Sequence, residues 1–79
     1  MPIDPLPDRV LTRRRAVGHR IRATRLDRNL SQEKLAELAG LDRQAVNRIE
    51  GGVSSPRLDS LLRIADALQV SLAALVVDV

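Results

Sequence analysis

Arg43, Gln44, Asn47 and Arg48 carry side chains suited to reading the edge of a base pair. An arginine guanidinium can grip guanine O6 and N7 together, and a glutamine amide can pair in the same two-point way with adenine N6 and N7. The spacing suits one helix face. Asn47 lies one turn beyond Arg43 and Gln44, and Arg48 lies four residues after Gln44. Covalent and metal chemistry find no comparable set. There is no Cys and His19 is the only His, so a zinc-ligand set cannot be assembled. No nucleophile–base pair and no Gly-rich phosphate loop occurs, and each Asp or Glu fits a cap, a surface or an ion pair. The chain is therefore expected not to be an enzyme and to need no cofactor.

These side chains need a short helix fixed to a scaffold, and the stretch from Gln32 to Gly51 has the pattern of one. A helix over about Gln32 to Ala39 and a second over about Arg43 to Glu50 are joined by a tight turn, which is a helix-turn-helix. Ala36 is small where the two helices would cross. Gly40 sits where the turn needs a positive φ, and Val46 points back into the junction. Ser31 and Asp42 are suitable N-caps, and Glu33 suits the positive first turn. Leu35, Ala36, Leu38 and Ala39 are expected to form the apolar face of the first of these helices. Inward Val46 and Ile49 leave Arg43, Gln44, Asn47 and Arg48 facing out, and Gly51 and Gly52 end the second helix.

Around this unit the sequence predicts three more helices. One precedes it, from about Asp8 or Thr12 to Arg28, with Leu11, Val17, Ile21, Thr24 and Arg25 at helical spacing and Asn29 able to end it in the left-handed conformation. Pro56 suits the entrance to another, about Arg57 or Leu58 to Leu68, whose expected buried stripe is Leu58, Leu61, Leu62, Ala65 and Leu68. Ser71 can cap a last short helix, Leu72 to Leu75 or Val76. Prolines at 2, 5 and 7 read as a flexible arm over residues 1–8, leaving 9–79 as one all-α domain.

A single domain of 79 residues buries only about 60–65% of its unfolded surface. Without Phe, Tyr or Trp its core must be Leu, Ile, Val and Ala, and the stacking platforms common in single-strand and RNA readers are missing. The net charge of +3 is unevenly placed: residues 9–28 hold eight Arg against Asp27, while the segments on either side are net acidic. That concentration suggests a polyanionic partner, with a solvated Arg-rich helix as the plainer reading. No apolar run reaches membrane-spanning length, and the acidic, proline-rich start is neither a signal nor a transit peptide, so a cytoplasmic protein is expected.

The block LSQEKLAELAGLDRQAVNRIEGG, followed by PRLDSLLRIADALQVS, resembles the phage-repressor (Cro/Xre-type) helix-turn-helix family over roughly residues 17–76. The resemblance implies a lambda-repressor-like bundle of about five helices that binds DNA, often as a dimer. It implies that Gln32 meets the DNA backbone or an outer base, and that Arg25 pairs with Glu50 to fix the reading helix to the scaffold. It also sends Arg57 towards the backbone or minor groove, with a surface charge as the even alternative. Where relatives often carry Asn, this chain has Gly51, so a side-chain phosphate contact is lost. Ser54 and Ser55 can donate to phosphate, and Arg13, Arg14 and Arg15 can reach flanking phosphate, adding affinity without specificity.

The function expected from all this is a sequence-specific regulator of double-stranded DNA. It would be a dimeric repressor or autoregulator, with Leu72, Leu75, Val76, Val77 and Val79 available for pairing as a helix face or an added strand. The alternative is an antitoxin-type module with a β tail, which would bind a toxin or other protein partner as well as DNA. A restriction–modification controller is a variant of the same size.

Overall fold

Three of the chain's connections are built from the same three-residue device. Asn29, Gly40 and Gln69 each take a positive φ, of 58°, 69° and 60°. The next residue's N–H then bonds back to a carbonyl in the helix just ended: Leu30 to Arg25 at 3.1 Å, Leu41 to Ala36 at 2.9 Å and Val70 to Ala65 at 3.0 Å. This six-to-one closure satisfies an orphan carbonyl. Leu30, Leu41 and Val70 tuck against the core. The third residue caps the next helix with its side chain: Ser31 accepts from Lys34 N at 2.9 Å, Asp42 from Ala45 N at 2.7 Å and Ser71 from Ala74 N at 3.2 Å. Left-handed residue, apolar plug and polar cap thus fix each corner locally.

The computed structural model describes residues 5–79. The helices are α1 (Asp8–Asp27), α2 (Gln32–Ala39), α3 (Arg43–Glu50), α4 (Leu58–Leu68) and α5 (Leu72–Val76), and no strand occurs among the described residues. This is the expected all-α bundle. Helix α2 packs on both α3 and α4, while α1 lies across α3 and touches α4 and α5. Each helix sends a side chain to the centre: Ile21, Leu35, Val46, Ile64 with Leu68, and Leu75 are all fully buried. No described helix is long and apolar enough to cross a membrane. Of the expected arm, Met1–Asp4 lie outside the described residues. Pro5–Pro7 precede α1, and Asp8 already belongs to it.

Several expectations need correction. Leu38 (52% exposed), Leu58 (60%) and Leu62 (43%) lie on the surface, not in the core. At about 3.6 residues per turn, the arc of α4 set by Leu61, Ile64, Ala65 and Leu68 leaves Leu62 well to one side, and Ile64 takes the centre. In α2 the buried arc is Leu35, Ala36 and Ala39, which leaves Leu38 outside. Leu75, expected among the pairing residues, plugs the monomer's own core. The tail is helical through Val76, as expected of the last short helix, and ends in a turn at Val77 and Asp78. Ser71 caps its first turn, and burial of Leu75 holds the helical register.

Of the four glycines, Gly18 leaves the least room for a Cβ, and sequence reasoning passed it over. A Cβ there would stand 2.4 Å from the Ile49 carbonyl oxygen and 2.6 Å from that of Glu50. A bare backbone on α1 lets it lie directly on the last turn of α3. Gly18→Ala gains about 1 kcal/mol of helix propensity, but it drives a methyl group into rigid backbone. A net loss of about 1–3 kcal/mol is expected, lowering the thermal midpoint by roughly 4–8 °C per kcal/mol. Thermal circular dichroism measures it. An unchanged or raised midpoint would show that α1 and α3 can part without loss.

Candidate nucleic-acid interface

Helix α3 is divided sharply between its faces. Val46, Ile49 and Glu50 are buried, while Arg43, Gln44, Asn47 and Arg48 are exposed. With Asp42, the exposed four line one open, shallow depression. A neighbouring depression is lined by Ala45, Arg48, Ser54, Ser55, Pro56 and Arg57 among others, so Arg48 belongs to both. The structure therefore brings the expected base-reading residues together and sets the α3–α4 loop beside them. Gly52, at φ 68°, ends α3 and is packed against Arg15, where a Cβ would lie 2.9 Å from that residue's Cα.

Beside the buried Val46 and Ile49, polar contacts hold α3. Arg25 donates from Nε to Glu50 Oε2 at 2.7 Å and from Nη2 to Glu50 Oε1 at 3.0 Å, a two-point grip between residues 7% and 3% exposed. Its Nη1 donates to the Leu30 carbonyl at 2.8 Å, so one guanidinium joins the end of α1, the entry to α2 and the end of α3. Among the described residues no buried side-chain polar atom lacks a partner.

The other expected contact residues fall in different places. Gln32, at the start of α2, donates from Nε2 to Glu50 Oε1 at 3.2 Å and accepts from Asn47 Nδ2 at 3.3 Å. Arg14 donates from Nε to the Gly52 carbonyl at 2.9 Å, bracing the C-terminal end of α3. Arg13 donates from Nε to the Val79 carbonyl at 2.9 Å, and Arg20 donates to that of Val77. Arg14 and Arg20 thus meet backbone carbonyls just past the last helical residues of α3 and α5, and Arg13 meets a backbone oxygen of the tail. An arginine run by itself gives no sign of that use.

Two short helices set by a tight turn, the second held by a buried ion pair with a polar face outward, define a helix-turn-helix domain. Residues 21–75 match the HTH_3 helix-turn-helix family model, and the chain belongs to that family, the phage-repressor (Cro/Xre) type. It is 42% identical over 60 residues to the immunity repressor protein of Bacillus phage phi105, covering 76% of this chain and 42% of that protein. The chain thus spans less than half the length of that relative. Among solved structures, it is similar to the restriction-modification controller protein C.AhdI from Aeromonas hydrophila (39% identity, 77% of this chain, 92% of the other, TM-score 0.76). It is also similar to the P22 c2 repressor in complex with a synthetic operator (31% identity, 77% and 92%, TM-score 0.73).

Removing Arg25 would leave the Glu50 carboxylate buried and unpaired. Arg25→Ala is expected to destabilise the domain by about 3–5 kcal/mol, whereas replacing both partners with apolar residues, Arg25→Met with Glu50→Leu, restores most of the loss. Urea unfolding of the two variants separates these results. Equal losses in both would mean that the pair contributes through packing rather than through charge.

Proposed function

We propose that this chain is a sequence-specific regulator that binds double-stranded DNA by laying α3 in the major groove. The observation that carries the reading is the division of α3: four polar side chains lie exposed together on a helix whose other face is anchored by Val46, Ile49 and the Arg25–Glu50 pair. Arg43, Gln44, Asn47 and Arg48 would address base edges, with Arg48 able to reach a phosphate instead. Ser54, Ser55 and Arg57, lining the adjoining depression, would meet the sugar-phosphate backbone or minor groove. Arg15, exposed on α1, would add salt-sensitive attraction, while Arg13 and Arg14 are engaged with the Val79 and Gly52 backbone oxygens.

A helix this short reads only a few base pairs, so a two-fold dimer on an inverted repeat suits the site. Val76 and Val77, 40% and 51% exposed, offer apolar surface for pairing, flanked by half-buried Leu72 and Val79. Leu75 is excluded by its burial in the monomer. Such a dimer would repress by occupying its operator. The named roles of the two relatives, an immunity repressor and a repressor seen on its operator, support this reading. The antitoxin alternative called for a β tail over Val76 to Val79, whereas here α5 takes in Val76 and a turn follows at Val77 and Asp78.

Selection from a random double-stranded DNA library at near-physiological salt tests the proposal. The expected product is an inverted repeat with half-sites about one helical turn apart. Salt-sensitive binding without enrichment of any sequence would contradict it. Gln44→Ala is expected to lose about 1–3 kcal/mol of discrimination at one position per half-site while keeping its fold and non-specific affinity. Unchanged site preference would remove Gln44 from the reading set.

A further inference from the structure

A chain of hydrogen bonds runs from the buried ion pair to the exposed face of α3, and its direction is fixed from the inside. Glu50, held by Arg25, offers only acceptors. The Gln32 amide can therefore meet it only through its nitrogen, as observed at 3.2 Å. That turns Gln32 Oε1 to Asn47, and an amide oxygen can only accept, so Asn47 presents its Nδ2 at 3.3 Å. Neither amide can flip without setting an oxygen against the carboxylate or against another oxygen. Among the described residues Asn47 Oδ1 makes no hydrogen bond, and Asn47 lines the same open depression as Arg43, Gln44 and Arg48.

From this geometry we infer that Gln32 is a positioning residue for base recognition. It passes the polarity of the Arg25–Glu50 pair to Asn47, which then offers an acceptor to the DNA. The complementary group in the major groove is an exocyclic amine, adenine N6 or cytosine N4. With one Nδ2 hydrogen committed to Gln32 and the other still able to meet an acceptor such as adenine N7, Asn47 thereby favours an amino-bearing base over a keto-bearing one at one position of each half-site. The inference rests on the DNA-reading function proposed above. It gives Gln32 a different task from the backbone or outer-base contact that the sequence suggested.

The experiment compares sequences enriched from a random double-stranded library by the unaltered chain, by Asn47→Ala and by Gln32→Met. Gln32→Lys is added because lysine still donates to Glu50 but accepts nothing from Asn47. The unaltered chain is expected to prefer adenine or cytosine at one position by about fivefold or more, and all three variants to reduce that preference below about twofold while other positions hold. Should Gln32→Met fold poorly by circular dichroism, Gln32→Lys and Asn47→Ala still decide the matter. The inference is overturned if either Gln32 variant changes affinity for all sequences alike with base preferences intact, or if the Asn47 position favours guanine or thymine. If the unaltered chain enriches nothing, the DNA-reading function fails and this inference with it, a result distinct from either of the others.

Discussion

The Arg25–Glu50 pair is the interaction on which the rest of the structure depends. It lies where α1 crosses the end of α3, and Gly18 allows that crossing by presenting backbone where any side chain would collide with the Ile49 and Glu50 carbonyls. Close approach brings the two charges into a site almost without water, where each needs the other. The same guanidinium holds the Leu30 carbonyl, so the corner between α1 and α2 is tied to the last turn of α3. The placement of α3 thus depends, beside its buried Val46 and Ile49, on two residues 25 positions apart that no apolar pattern would connect.

Around that pair the domain is assembled with little redundancy. There is no aromatic side chain, and the fully buried centre is Ile21, Leu35, Val46, Ile64, Leu68 and Leu75, drawn from all five helices. Such short helices are not stable alone. They are specified by their ends, where the corners Asn29-Leu30-Ser31, Gly40-Leu41-Asp42 and Gln69-Val70-Ser71 each close one helix, plug the core and open the next. Local geometry and burial agree at every one of these corners, which is how so small a core can still select one arrangement.

Much of this was legible in the sequence because caps and left-handed residues act locally. Ser31, Asp42 and Ser71 are seen capping, and Asn29 and Gly40 take the positive φ expected of them. The Arg25–Glu50 pair came through the family resemblance, and the structure shows it with both hydrogen bonds formed. What sequence did not disclose was which apolar residues face inward on short helices. Leucine is as common on the outside of α2 and α4 as on the inside, so Leu38, Leu58 and Leu62 carried no mark of exposure, and Ile64 none of its central place. Gly18 did leave a signal, an isolated glycine within a helix, which often marks close packing. The attachment of Arg14 to Gly52 and of Gln32 to Glu50 depends on distances between helices, and no spacing along the chain encodes those.

On the proposed function α3 is held ready-made, with Arg43, Gln44 and Arg48 exposed, Asn47 tied to Gln32 and the inner residues fixed. Little reordering is needed when it meets a partner, and little of the contact energy is lost to it. A crystal structure of the chain with its selected DNA site tests this most directly. The expected result is α3 in the major groove, Arg43 and Gln44 within hydrogen-bonding distance of base edges, and the Arg25–Glu50 pair unchanged from the free domain. A complex with α3 outside the groove, or with the Arg25–Glu50 pair broken to let α3 turn, would contradict it.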